Sequence, residues 1–336
     1  MKRRPKAARR RGAAVSLVLL GGLAAGCGGS WSNEDLLFLQ AVPERTRLES
    51  TLPGTRPGEQ SQSLERFLVG ESSELREWTL SASQDFNAGL FEILSGLEEV
   101  RRTPPTRRER DRRIWGPFPH PTLRRFDLKV EIERRAPGEG ELPYLPPDFS
   151  CAGPVFVYAA SLGPRGEARW ARIITGLYCA KGGLRRGEGF VAIHPDRIRA
   201  LGLPTPDTDE LARVLVHYRT DAYPILVDMV FTPRQGTELE EFSYHYRRYA
   251  DGEGALQFNL SHNILGPAVE RWQVTAGWRP DGSGRGQTVV SEGDLAGPET
   301  SVECWDARGI IGYELKTWEG SEEGDPSACP ALRTFE

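Results

Sequence analysis

The chain has 336 residues, of which 38% are hydrophobic and 27% are charged, as in an ordinary globular protein. The composition excludes a globally disordered chain, and the length excludes a mini-protein that depends on covalent or metal staples. The formal net charge is −4, but residues 1–26 contain seven basic residues and no acidic one. The remaining chain has 36 basic and 47 acidic residues, a net charge of −11, which argues against nucleic acid as a partner.

Residues 1–26 have the form of a secretory signal peptide. A basic segment ends near Arg11, and an uncharged run rich in Leu, Val and Ala follows it from Ala13 to Gly26. This run is shorter than the roughly 20 apolar residues that a membrane-spanning helix needs. The segment therefore predicts export, and ordinary secretion with cleavage nearby remains the alternative to the lipid attachment discussed next.

The end of this segment resembles the lipobox of bacterial lipoproteins. Ala24, Ala25 and Gly26 precede Cys27, and Leu23 stands four residues before the cysteine. In that family the cysteine receives a diacylglyceryl group and becomes the new N-terminus after cleavage. The resemblance implies that Cys27 carries the acyl chains, palmitate among them, and that membrane lipid is a partner. Because an aspartate retention signal is missing after the cysteine, it also implies the outer membrane.

Four cysteines remain after Cys27, namely Cys151, Cys179, Cys304 and Cys329. An even number in an oxidising compartment favours two disulfides. A turn midway between the first two would place Cys151 opposite Cys179 in a hairpin, within disulfide reach, and elimination then pairs Cys304 with Cys329. No pair has CxxC spacing and no histidine cluster lies near, so a metal is disfavoured and no cofactor is expected.

The N-terminal part of the mature chain is predicted to be helical. A short helix begins at Ser32 or Asn33, and an amphipathic helix covers Ser83–Val100, either packed on the main domain or free to bind a partner. The run 101–113 contains seven Arg and is interpreted as a solvated linker, with contact to lipid phosphates as the alternative. Residues 27–113 therefore form the lipid tether, the helical segment and an Arg-rich linker.

From residue 114 the pattern changes to strands separated by Gly, Pro and Asp turns. Phe126–Glu133 alternates between apolar and charged residues, and about ten to twelve such strands follow one another through short connections. One hairpin is expected to pair Tyr246 with Phe258 and Tyr244 with Leu260. Only residues 194–201 look helical in this half, with Pro195 at the first helical position.

The predicted fold class is mainly β: an antiparallel meander closed as a barrel-like or sandwich domain, preceded by an N-terminal helical segment. The β-rich domain covers residues 114–318, and residues 319–336 form a C-terminal tail tied by a disulfide. Closure is favoured because it would remove the exposed edges of so long a sheet.

Residues that could carry chemistry are dispersed. The chain lacks a GxSxG elbow, HExxH, a P-loop and GxGxxG. Ser261, His217 and Asp221 could form a hydrolytic site, but any chain of this size offers such a combination. Aromatic residues are enriched in consecutive strands, and they indicate either core packing or a surface for an apolar ligand or a sugar. The set proposed as ligand-binding is Tyr244, Tyr246, Phe258, Trp272 and Trp278.

Two short motifs carry a further resemblance. Trp115-Gly116-Pro117 follows the helix, and Glu303-Cys304-Trp305-Asp306 lies near the end of the β-rich part. Together with the lipobox, they resemble functionally uncharacterised outer-membrane lipoproteins of GC-rich, myxobacterial-type Gram-negative bacteria. The resemblance implies a cell-envelope lipoprotein facing the periplasm or the cell surface and transfers no known active site.

The expected function is that of a lipid-anchored, non-catalytic β-domain. It would bind a hydrophobic ligand, a glycan or an envelope protein, or be purely structural. The alternative is a secreted hydrolase whose site is assembled from scattered histidines and carboxylates.

Overall fold

The structure is a computed structural model. It describes residues 30–53, 69–120, 123–135, 145, 149–182, 185–203, 210–236, 240–263, 265–331, 333 and 335. The predicted signal peptide and Cys27 lie outside the described residues.

The described part of the chain contains two short helices near its N-terminal end, one long helix, and one short helix within the strand-rich part. The helices are α1 (Asn33–Leu39), α2 (Arg45–Leu48), α3 (Glu74–Glu98) and α4 (Pro195–Ala200), with 3₁₀ turns at Glu99–Arg101 and Pro326–Ala328. In the residues described, none of these helices combines the length and the apolar character needed to pass through a membrane.

The strands follow one another along the rest of the chain. They are β1 (Arg107–Arg108), β2 (Arg112–Pro119), β3 (Phe126–Arg135), β4 (Val155–Pro164), β5 (Ala171–Ala180), β6 (Gly187–Ile193), β7 (Leu211–Arg219), β8 (Ile225–Pro233), β9 (Phe242–Arg248), β10 (Gly254–His262), β11 (Glu270–Trp278), β12 (Gly284–Glu292), β13 (Glu299–Trp305), β14 (Ile311–Lys316) and β15 (Ser321–Gly324).

All the strands belong to one antiparallel sheet in which spatial order equals chain order, from β1 to β15. The predicted mainly β meander with an N-terminal helical region is therefore confirmed. The sheet is not closed, because β1 pairs only with β2 and β15 only with β14 in the described residues, and the sandwich-like description fits it. Its edge strands have two and four residues, and such short edges offer little backbone to another chain.

The long helix α3 covers the inner face of the sheet. It begins after Ser73, whose hydroxyl accepts a hydrogen bond from the backbone N–H of Arg76, so it starts well before the predicted position at Ser83. The Ser83 hydroxyl instead donates to Ser50. The helix buries Phe86 completely against the sheet, while Phe91 on its other side is 50% exposed. Of the two alternatives for this helix, packing on the main domain is the one observed.

The ring contacts of α3 show which strands it covers. Phe86 lies 6.1 Å from Tyr244 and 6.0 Å from Tyr246 of β9, and Trp78 lies 5.4 Å from Trp272 of β11, measured between ring centroids. Phe86 and Tyr246 belong to the largest apolar cluster of the described residues, and Trp78 and Tyr244 pack against it. The main core of the molecule therefore lies between α3 and the inner face of the sheet.

The Arg-rich segment differs from its prediction as a solvated linker, because β1 and the start of β2 fall within it. Arg113 is 2% exposed, and its Nε donates to Asp35 at 2.9 Å. Arg108 makes a second charged hydrogen bond to the same carboxylate, at 2.9 Å from Nη2. Asp35 in turn accepts from the backbone N–H of Ser32 at the start of α1. The buried carboxylate of Asp35 thus gives two of these arginines a structural role. The β structure also begins before the predicted boundary at residue 114.

Two register predictions need correction. Phe258 faces Tyr244, and Leu256 faces Tyr246, because the turn between β9 and β10 is centred one residue earlier than predicted. The apolar residues nevertheless share one face, since a shift of two residues preserves side-chain direction. Val155, and not Cys151, stands opposite Cys179, because the turn between β4 and β5 is centred later in the chain than predicted, and one unpaired residue of β5, Ile173, adds to the displacement.

Candidate functional site

The two predicted disulfides are present. Cys151 is bonded to Cys179 with a Cα–Cα distance of 5.7 Å, and Cys304 is bonded to Cys329 with a Cα–Cα distance of 5.0 Å. Cys151 reaches its partner from the segment just before β4. The second bond ties the C-terminal tail to β13, as the sequence predicted.

The aromatic residues proposed as a ligand surface lie in the core. Tyr246, Phe258, Trp272 and Trp278 are each at most 3% exposed, and Tyr244 is partly buried. Tyr246 stacks on Trp278, and Tyr244 stacks on Phe258, with ring centroids 6.3 Å apart in both pairs. The structure thus brings the set together, and contacts within it and with α3 account for these residues by packing.

Polar residues on the opposite, outer face of β6–β9 form a connected group that we call the histidine–carboxylate cluster. Its members are Glu188, His217, Asp228, Ser243 and His245. The strand register places His217 directly opposite Asp228, and Asp228 directly opposite His245. Because side chains alternate along a strand, the same register that turns apolar neighbours inward turns these residues outward together.

Three hydrogen bonds and one longer ion-pair contact join the cluster in a line. His217 Nε2 lies 2.8 Å from Glu188 Oε1, and His217 Nδ1 lies 3.7 Å from Asp228 Oδ2. On the other side, His245 Nδ1 lies 2.8 Å from Asp228 Oδ1, and His245 Nε2 lies 3.1 Å from the Ser243 hydroxyl. An ionised carboxylate only accepts hydrogen bonds, so His245 Nδ1 donates to Asp228, and Nε2 shares a hydrogen bond with the Ser243 hydroxyl.

The charges of the cluster stabilise one another. The hydrogen bond from His217, helped by Lys181, lowers the pKa of Glu188 to about 2 despite its burial. Burial opposes ionisation of Asp228, but its contacts with His217 and His245 and with Arg247 outweigh this effect and lower its pKa. Burial also disfavours a charged His217, yet the two carboxylates outweigh it and raise the pKa of this imidazole.

The order Ser243, His245, Asp228 matches the order of hydrogen bonds in a serine hydrolase triad. In that arrangement the imidazole takes the hydroxyl proton while the carboxylate holds the ring in the required tautomer. The three residues lie on a sheet face, with Ser243 and His245 two residues apart on β9 and Asp228 on the neighbouring strand β8. Within the described residues, no three or more His, Cys, Asp or Glu side chains are placed to hold a metal ion.

The sequence reasoning proposed His217 as a member of a polar site but gave it the wrong partners. The structure joins His217 to Glu188 and Asp228, whereas Ser261 lies on β10, two strands beyond β8. His245 points away from its neighbours Tyr244 and Tyr246, because side chains alternate along β9. The sequence did offer one indication of this cluster. Polar residues interrupt the alternating apolar pattern of β7, β8 and β9, and strand pairing places these polar residues side by side.

Comparison with protein-family models, with curated proteins and with solved structures finds no match to this chain.

Proposed function

We propose that the protein is a lipid-anchored protein of the cell envelope, acylated at Cys27 and held at the outer membrane, with a β-domain that acts by binding and not by catalysis. The observation that carries this proposal is the pairing of the cysteines. Four of the five cysteines form the two disulfides, which leaves Cys27 as the one available for acylation. Two disulfides also suit the oxidising compartment to which the leader would deliver the chain.

The exposed residues at the start of the described chain support an anchor at this end. Trp31 is 38% exposed, and Leu36 and Leu37 of α1 are 49% and 40% exposed. Trp31 stands only four residues after Cys27, and an extended chain of that length spans about 14 Å. Apolar side chains this close to the acyl chains suit an interface with the headgroup region of a bilayer.

The test is acyl labelling of the protein in a Gram-negative host that is fed an alkyne-bearing palmitate. We expect label on the wild type, no label on Cys27→Ser, and unchanged label on the Cys304→Ser/Cys329→Ser control. Density-gradient separation of the membranes should place the labelled protein with the outer membrane. Equal labelling of the wild type and Cys27→Ser would refute the anchor.

A second candidate function is a hydrolase that uses Ser243. The specific observation in its favour is the pair of hydrogen bonds at 3.1 Å and 2.8 Å that link Ser243, His245 and Asp228. In such a reaction Ser243 Oγ would attack an ester carbonyl while His245 Nε2 takes its proton. The alcohol would leave with that proton, and a water would then release the acid and regenerate the serine.

A fluorophosphonate probe distinguishes this second candidate from the first. Covalent labelling of the wild type that is lost in Ser243→Ala and retained in Ser261→Ala, an outward serine on the adjoining strand, would establish the hydrolase. Turnover of a short p-nitrophenyl ester should follow the same pattern. An unlabelled wild type leaves the cluster as a structural network and removes the second candidate.

A further inference from the structure

A group of arginines lines an open pocket between α4 and the ends of strands β5, β7 and β8. The pocket has a volume of about 570 Å³. Its lining includes the five arginines Arg172, Arg197, Arg199, Arg213 and Arg234, and in the described part of the chain Asp196 is the single acidic residue among the lining side chains. We call this group the arginine pocket.

The charge of the arginine pocket is opposite to that of the chain around it. Acidic residues outnumber basic ones after residue 26 by 47 to 36, whereas the described residues of this lining include five basic residues and one acidic residue. A concentration of one sign in a concave surface focuses the electrostatic potential and attracts a ligand of the opposite charge. The composition of the pocket therefore points to an anion.

Three of the arginines make no ion pair with a described residue, so their positive charges are available to a ligand. Across the described ranges, no carboxylate lies within ion-pair distance of Arg172, Arg197 or Arg213. Arg197 Nη1 donates to the carbonyl oxygen of Arg172 at 3.0 Å, which fixes one of its donors, and no described carboxylate neutralises its charge. The Nε of Arg213 is buried without a hydrogen-bond partner among the described residues.

The other polar residues of the pocket are arranged around these arginines. Arg213 on β7 stands opposite Thr232 on β8, and His194 precedes α4 on the same side. His194 Nε2 lies 2.9 Å from the Thr175 hydroxyl. Burial, followed by the positive charge of Arg197, lowers the pKa of His194, so the ring is neutral near pH 7 and can share hydrogen bonds with an anion.

We propose that the arginine pocket binds a phosphate monoester carried on a small organic group, a sugar or a lipid headgroup. Guanidinium groups match the oxygens of phosphate in bidentate geometry, and several of them are needed to compensate a dianion. The volume is within the range of pockets that take organic ligands and exceeds what a bare inorganic anion fills. This inference goes beyond the proposed function and does not depend on the lipid anchor.

The experiment is isothermal titration calorimetry of the exported, disulfide-bonded protein in detergent. Three probes are compared at low ionic strength: glucose 1-phosphate, dihexanoyl phosphatidic acid and inorganic phosphate, with glucose as the uncharged control. We expect at least one organic phosphate to bind tighter than inorganic phosphate, with glucose inactive. Preference for the sugar phosphate or for the lipid identifies the source of the ligand.

Variants test whether binding takes place in the arginine pocket. Arg197→Gln/Arg213→Gln should weaken binding at least tenfold, and Arg213→Lys should weaken it while retaining the charge and the fold. Arg169→Gln, an exposed arginine of the β4–β5 connection outside this lining, is the matched control and should bind as the wild type. Circular dichroism and thermal unfolding verify that each variant is folded. Absence of binding by both organic phosphates, or equal affinity of Arg213→Lys, the double variant and the control, would overturn the proposal.

Discussion

The carboxyl group of Glu303 lies buried at the start of α3, and replacing it should change how stability depends on pH. Its Oε2 accepts hydrogen bonds from the Ser73 hydroxyl at 2.7 Å and from the backbone N–H of Leu75 at 3.1 Å. Glu303 is 2% exposed, and burial raises its pKa from 4.5 to about 7 in spite of these donors. The folded protein thus holds a proton on this group that the unfolded chain releases.

The magnitude follows from the two pKa values. A pKa difference of about 2.5 between the folded and unfolded states corresponds to about 3 kcal/mol. Because the folded pKa of an acid is the higher one, the unfolded state loses its proton first as the pH rises. The contribution of Glu303 to the free energy of unfolding therefore decreases between pH 4.5 and about pH 7 by this amount and is constant above that range.

The assay is urea unfolding of the wild type and Glu303→Gln at several pH values from 4 to 8.5. Glutamine keeps the oxygen acceptor and cannot ionise, so the variant should gain about 3 kcal/mol relative to the wild type across this range. Glu323→Gln, which removes an exposed carboxylate on β15, serves as control. A difference between Glu303→Gln and the wild type that stays constant with pH would refute the reasoning.

Three other predictions concern stability. Phe86→Ala should cost about 3–5 kcal/mol in urea unfolding because it empties a fully buried site, whereas Phe91→Ala on the exposed side of the same helix should stay within about 0.5 kcal/mol. Removing the Cys304–Cys329 bond, which spans 25 residues, should cost about 3.5 kcal/mol, and an equal unfolding midpoint would contradict this. The raised pKa of His217 means that its protonated form stabilises the fold fully below pH 6.5 and loses this effect as pH rises through the folded pKa, so the deficit of His217→Gln should shrink between pH 5.5 and 9 in thermal unfolding.

The strands were predictable because their signal is local. Phe126–Glu133 alternates apolar and charged residues, and the strand observed there begins at the same residue. The start of α3 was not predictable in the same way. Glu74, Arg76 and Glu77 look like a solvated segment, yet Arg76 is 8% exposed because the fold places it against the loop around Gly309.

The candidate sites needed information that a single sequence lacks. The cluster joins Glu188 to His245 across four strands, and a displacement of one residue in any pairing would separate them. The arginine pocket depends on where α4 packs relative to the sheet. Nothing in the sequence distinguishes its arginines from the other basic residues of a chain that contains 43 of them. The disulfide pairing was easier to predict, because four cysteines allow only three pairings.

The strictly sequential order of the sheet has a consequence for how the chain would acquire its fold during the export proposed above. Each strand pairs with the one that precedes it, so its partner has already emerged when a chain threads through a membrane from its N-terminus. The sheet can therefore lengthen one hairpin at a time over α3, which emerges before any strand. The covalent link between β13 and Cys329 can close only when nearly the entire chain has emerged.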